Sequence, residues 1–431
     1  MKSKILNELT ELLEHNIISK DVASNISSYY QAKSDEQPNR LFTVFGVLGS
    51  ALVGLGVILI LAHNWDSFSR LVKTFFAFLP LIIGQVISGY SILQKKGQAW
   101  KESSGTFLFF AIGASIALVS QIYNIPGDLS EYLLTWILLG LPLIYVLNSK
   151  AVSMLIIVFA TYYACELGYN FGYANNAPWF YLVILFGTVP FYINLLRKSP
   201  NANSTSIFNW LYALSFVIVL GSFIDTNWSM GFVMYAMLFG LFYNLGKTPV
   251  YNNQQLRRNS FLLIGSLGTV VLLLILSFNM IWKEMYEEPI VFNSQEMLIS
   301  IGLFVCAIGF LLYSKKHKEN SKFNLFQYAF LLFAIVFVIG NGNYGLGTIF
   351  TNVLVLTLGV FAVKIGADSF RFSVLNYGLL IISAMIVCRF FDTDMSFVLR
   401  GTLFVIVGLG FFLTNYFMLK KQKELKQKTL K

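Results

Sequence analysis

Residues 41–66 read LFTVFGVLGSALVGLGVILILAHNWD, and this stretch decides the fold. Its first twenty-two residues contain neither a charge nor a proline. At about 1.5 Å per residue they form a helix long enough to cross a hydrocarbon core of about 30 Å. Gly46, Ser50 and Gly54 recur every four residues and therefore share one face. Small side chains at that spacing let a second transmembrane helix approach closely. The run ends in a polar, aromatic tetrad, His63, Asn64, Trp65 and Asp66, suited to a membrane–water interface.

The rest of the chain repeats this pattern. Of its 431 residues 56% are hydrophobic and 12% are charged, against about 25% charged in a soluble domain. The expected fold is all-α: a polytopic transmembrane bundle of about fourteen helices. They are expected near 41–62, 71–93, 105–123, 132–147, 151–167, 178–196, 206–224, 229–244, 260–282, 296–313, 323–340, 345–363, 374–391 and 397–419. Residues 1–40 precede the bundle (41–419) as a cytoplasmic helical hairpin and linker. Ser3 and Ser19 are placed to cap its two helices. Residues 420–431 form a basic tail. Met1 to Arg40 contains no apolar core of a signal peptide, so the first transmembrane helix is expected to direct insertion.

Charge placement tests that count. With both termini in the cytoplasm, 26 of the 31 Lys and Arg residues fall on the cytoplasmic side. The opposite loops carry Asp66, Asp128, Glu131, Asp225, Glu284, Glu287, Glu288, Asp392 and Asp394. A missed helix would invert every later loop and destroy the alternation. The expected location is a membrane, with the lipid bilayer as the immediate partner. The net charge of +10 resides in loops and tails and is not a nucleic-acid signal.

No phosphate-cradling loop, zinc-peptidase motif or nucleophile elbow is present. Cys165, Cys306 and Cys388 lie apart in apolar segments, and the three histidines lie in separate segments. The expectation is no catalytic set, no cofactor and no metal. What remains is polar side chains at helix ends and interiors, which are costly in lipid. His63, Asn64, Trp65 and Asp66 form one cluster. Gln121 and Tyr123 close the third helix, with Gln121 expected to point into the bundle because it shares a face with Gly113 and Ala117. Glu166 is the candidate proton-coupling carboxylate. Arg389, Asp392 and Arg400 form a third cluster, in which Arg389 and Asp392 are spaced to pair.

The chain resembles the bacterial predicted-membrane-protein family called domain of unknown function 2157. The resemblance rests on LNELTELLEHNIISKDVASNISSYY at 6–30, GVLGSALVGLGVILILAHNWD at 46–66 and ALVSQIYNI at 117–125. Residues 376–413 resemble the closing helices of that family more weakly. The resemblance implies a bacterial inner-membrane protein with a short cytoplasmic N-terminus, and it marks His63, Asn64, Trp65, Asp66 and Gln121 as motif positions. It implies no substrate.

With short loops, the bundle interior is the place for a function. The first reading is a transporter or flippase of a small polar or lipid-linked substrate. The alternatives are a scaffold or sensor acting through the N-terminal hairpin and a membrane enzyme acting on lipid-linked glycans.

Overall fold

The structure, a computed structural model, describes residues 17–35, 65–169, 177–225, 227–287, 293–316 and 324–392. Isolated residues beside them are also described: 9, 12, 13, 15, 291 and several between 398 and 420. The expected first helix, His63, Asn64 and Arg400 lie outside these residues. The chain divides into two compact units, Met1–Phe76 and Ala77–Lys431.

In the first unit, helix α1 (Lys20–Asp35) begins where expected, with the Val22 amide donating to Ser19 Oγ at 3.4 Å. A single 3₁₀ turn, Trp65–Ser67, leads toward α2 (Arg70–Leu93).

The second unit is all-helical among the described residues. After α2 come α3 (Gln98–Tyr123), α4 (Leu129–Leu147), α5 (Lys150–Gly168), α6 (Trp179–Lys198), α7 (Asn203–Leu220) and α8 (Trp228–Gly246). Then follow α9 (Ser260–Ile275), α10 (Asn279–Glu287), α11 (Gln295–Lys316), α12 (Ala329–Gly342), α13 (Tyr344–Asp368) and α14 (Phe372–Asp392). Ten of the described helices are long and apolar enough to cross a membrane. The pair α9 and α10 makes an eleventh span if counted together, and α12 is a shorter apolar helix. All twelve helices expected between 71 and 391 are therefore present.

Most boundaries shift by a few residues, and three differences from expectation stand out. Helix α3 starts at Gln98 rather than 105, because its first turns carry Lys101 and Glu102 and lie outside the apolar run. The segment from 323 opens with a 3₁₀ turn, Leu325–Gln327, before α12. The third difference matters most: the expected continuous helix 260–282 is broken after Ile275 and bends by 85°. No proline or glycine marks residues 275–282, so hydropathy runs through the break unaltered.

Helix α8 organises the packing: fourteen of its nineteen residues are buried. Met234, Leu238 and Phe242 face a core drawn mainly from α3–α7. Met230, Val233 and Met237 face a second core drawn from α9–α14. Helix α9 runs antiparallel along α8 with the backbones nearly touching. A Cβ on Gly265 would lie 2.5 Å from the Tyr243 amide nitrogen, so only glycine fits there. Large apolar side chains on the outer faces, such as Phe75, Phe186 and Val338, are exposed, as a helix surface in lipid requires.

Candidate functional site

The break between α9 and α10 is the least regular backbone among the described apolar helices. The Ser277 and Phe278 amides turn back to Leu274 O (3.2 Å) and Ile275 O (3.4 Å). Ser277 Oγ also donates to Leu274 O at 2.6 Å. This tightening ends the helix and leaves the Leu276 and Ser277 carbonyls without helical donors, in a position where both residues are fully buried. In lipid each such carbonyl must find another partner.

The partners come from three other places. Trp282 Nε1 donates to Leu276 O at 2.7 Å. Asn352 Nδ2, on α13, donates to Ser277 O at 3.1 Å. Arg389 Nη2, on α14, donates to Ser277 O at 2.5 Å and to Ser277 Oγ at 3.1 Å. The Arg389 guanidinium also lies 5.6 Å from the centroid of the Phe278 ring, a cation–π distance. Thr348 Oγ1 bonds Asn279 Oδ1 at 3.1 Å and holds the start of α10. Trp282 is 1% exposed, and its ring lies against the backbones of α12 and α13. A Cβ on Gly340 would fall 2.1 Å from this ring, and one on Gly347 would fall 2.6 Å from it.

At the same end of α8, Glu296 opens α11 and is fully buried. Its Oε1 accepts the Asp225 amide at 2.8 Å and the Asn227 amide at 3.1 Å. The carboxylate thus sits at the positive end of α8 and ties the α7–α8 connection to α11. Charge and burial together make it a functional candidate. In the sequence Glu296 falls at a helix boundary, where a carboxylate gives no signal of burial.

The residues singled out from sequence divide sharply. Arg389 is built into the break. Asp392 is the last residue of α14, and its side chain is outside the described residues, so its expected pairing with Arg389 falls there too. Trp65 and Asp66 lie in the 3₁₀ turn, with Lys73 Nζ 5.8 Å from the Trp65 ring centroid. Glu166 is half-buried near the end of α5. Gln121 corrects its expectation: both it and Ala117 are exposed, as is Tyr123. The buried face of α3 is Leu108, Ile112, Ser115 and Ile122. Gln121 is one residue, about 100°, away from that face.

A second polar seam joins α5, α6 and α7. Ser215 Oγ lies 2.6 Å from both Thr161 Oγ1 and Tyr181 OH. Thr188 Oγ1 and Tyr212 OH are 2.6 Å apart. Tyr192 OH donates to Asn209 Oδ1 at 2.5 Å and lies 2.9 Å from Tyr251 OH. Nearby, Glu102 closes the α4–α5 connection by accepting from Ser149 Oγ and the Lys150 and Ala151 amides. Ser215 thus joins α5, α6 and α7 at one point, while Thr188 and Tyr212 link α6 to α7 alone. Among the described residues no three His, Cys, Asp or Glu side chains come together to hold a metal ion.

Residues 10–153 match the family described as predicted membrane protein (DUF2157). This match takes in α1–α4 and the first residues of α5, and the α9–α10 break lies outside it. No curated protein and no solved structure matches the chain.

Proposed function

We propose that the chain moves a small polar or lipid-linked substrate across the bilayer, with the α9–α10 break as the hinge of its moving part. The observation that carries this reading is the set of donors that hold the break, two of them from distant helices. Two buried carbonyls are held by Trp282, Asn352 and Arg389, from α10, α13 and α14. Discontinuous helices with capped ends are how membrane transporters present backbone groups at a binding site. In this reading the basic loops face the cytoplasm of a bacterial inner membrane, with both termini inside. The break and Glu296 then lie toward the outer face, together with Glu166, Asp392 and Arg400.

The test is thiol accessibility in intact cells on a background lacking Cys165, Cys306 and Cys388. Ser277→Cys and Asn279→Cys are expected to react with a charged, membrane-impermeant maleimide. Val353→Cys, on the exposed apolar face of α13, is expected to stay unreactive. If Ser277→Cys and Asn279→Cys are inert while a cysteine at Asp225 labels, the break is sealed packing and the transport reading falls.

A further inference from the structure

The carbonyl end of α9 is held by a cation that belongs to the chain itself. A helix C-terminus carries a partial negative charge. In α9 this end is buried at Leu276 and Ser277. Arg389 reaches Ser277 from α14 with two bonds from one nitrogen, to the carbonyl and to the hydroxyl. Asn352 holds the same carbonyl from α13: its Nδ2 donates to Ser277 O at 3.1 Å and to Thr348 O at 2.8 Å. Ser277 O and Ser277 Oγ thus face Arg389 side by side at a negative helix end, suited to a planar positive charge.

We propose that the break is a monovalent-cation seat, and that the Arg389 guanidinium is a tethered occupant standing where a free ion would otherwise bind. The seat takes cations that donate hydrogen bonds in a plane, guanidinium first, because Arg389 already satisfies it in that form. Arg389 is therefore a positioning residue: it sets the bend by occupying the seat. The inference stands whether or not the chain transports a substrate, since it concerns what fills the break.

The experiment is chemical rescue of the full-length protein in detergent micelles, read as unfolding temperature. Arg389→Gln keeps similar length and removes the charge. It is expected to melt several degrees below the parent protein. Low-millimolar methylguanidinium chloride is expected to recover most of that loss, and equal tetramethylammonium chloride, which cannot donate, is expected to recover none. The parent protein should gain nothing from either salt, and the rescue should disappear in Arg389→Gln combined with Asn352→Leu. Parent-like melting of Arg389→Gln overturns the proposal, as does the absence of a methylguanidinium effect. Should Arg389→Gln yield no folded protein, Arg389→Lys decides. It keeps the charge without the planar fork and is expected to fold with intermediate stability. Failure of Arg389→Lys to fold better than Arg389→Gln overturns the proposal.

Discussion

The two cores that meet on α8 differ in one use of their polar groups. In the α3–α7 half, hydroxyls and amides bridge helices whose own backbones are unbroken, as Ser215 does between Thr161 and Tyr181. The α9–α14 half has such bridges too, as between Ser266 and Tyr377, but there Trp282, Asn352 and Arg389 also serve a backbone that has stopped being a helix. A bridge between intact helices adds a modest increment, on average about 0.6 kcal/mol in a membrane. A cap on a broken helix prevents a penalty, because each abandoned buried carbonyl costs about 1–3 kcal/mol or more. Polar residues of similar kind are therefore fastenings between intact helices and structural necessities at the break.

Substitutions can break this contrast, and the largest effect is expected at Gly340. Gly340→Leu drives a side chain into the Trp282 ring, where a Cβ alone would already stand at 2.1 Å. Overpacking on this scale costs about 3 kcal/mol or more. Folded yield after size-exclusion chromatography should fall to near zero, and a normal yield would mean that the Trp282 contact is not fixed. Next is Trp282→Phe, which removes the donor to Leu276 O. A loss of about 1–3 kcal/mol is expected, with faster labelling of Asn279→Cys as the bend loosens.

Glu102→Ala should follow. It removes the carboxylate that accepts two amides at the start of α5, a capping loss of about 0.5–2 kcal/mol. Thermal unfolding should register it while labelling at Asn279→Cys stays constant. The smallest effect belongs to Tyr192→Phe. The hydroxyl that joins Asn209 and Tyr251 is lost, at a cost of about 0.6 kcal/mol, again without change at the break. If Tyr192→Phe alters labelling at Asn279→Cys, the two halves are coupled and the contrast fails.

Much of this architecture was legible in the sequence. Apolar runs and alternating loop charge placed all twelve helices between 71 and 391, because both follow directly from the bilayer as solvent. The break at 276–278 left no such trace. Its signal is distributed: Ser277 and Asn279 close an apolar run, and the side chains that make the kink tolerable lie about 75 and 110 residues later, at Asn352 and Arg389. Read singly, Asn352 is an ordinary interhelical amide and Arg389 a loop ion pair. Only three-dimensional proximity converts them into partners of a carbonyl. Glu296 escaped for a related reason, since a carboxylate at a helix start looks solvated until the loop that covers it is known. Gln121 differs in the other direction: its four-residue repeat with Gly113 and Ala117 has the spacing of a packed face, yet Ala117 and Gln121 are exposed.

The burial of α8 has a consequence for how the protein is made. Of the ten candidate spans, α8 has the lowest mean hydropathy, and it carries Ser229, Tyr243 and Asn244 on its buried surface. Its two most extensive neighbours, α9 and α11, follow it in the chain. During synthesis α8 therefore reaches the insertion machinery before the surfaces that will cover it exist. The segment at the centre of the finished bundle thus enters the membrane with its buried polar side chains still uncovered. In a chain truncated after Gly246, a cysteine at the buried position Met234 should react with a water-soluble maleimide, whereas in one extended through α11 it should not.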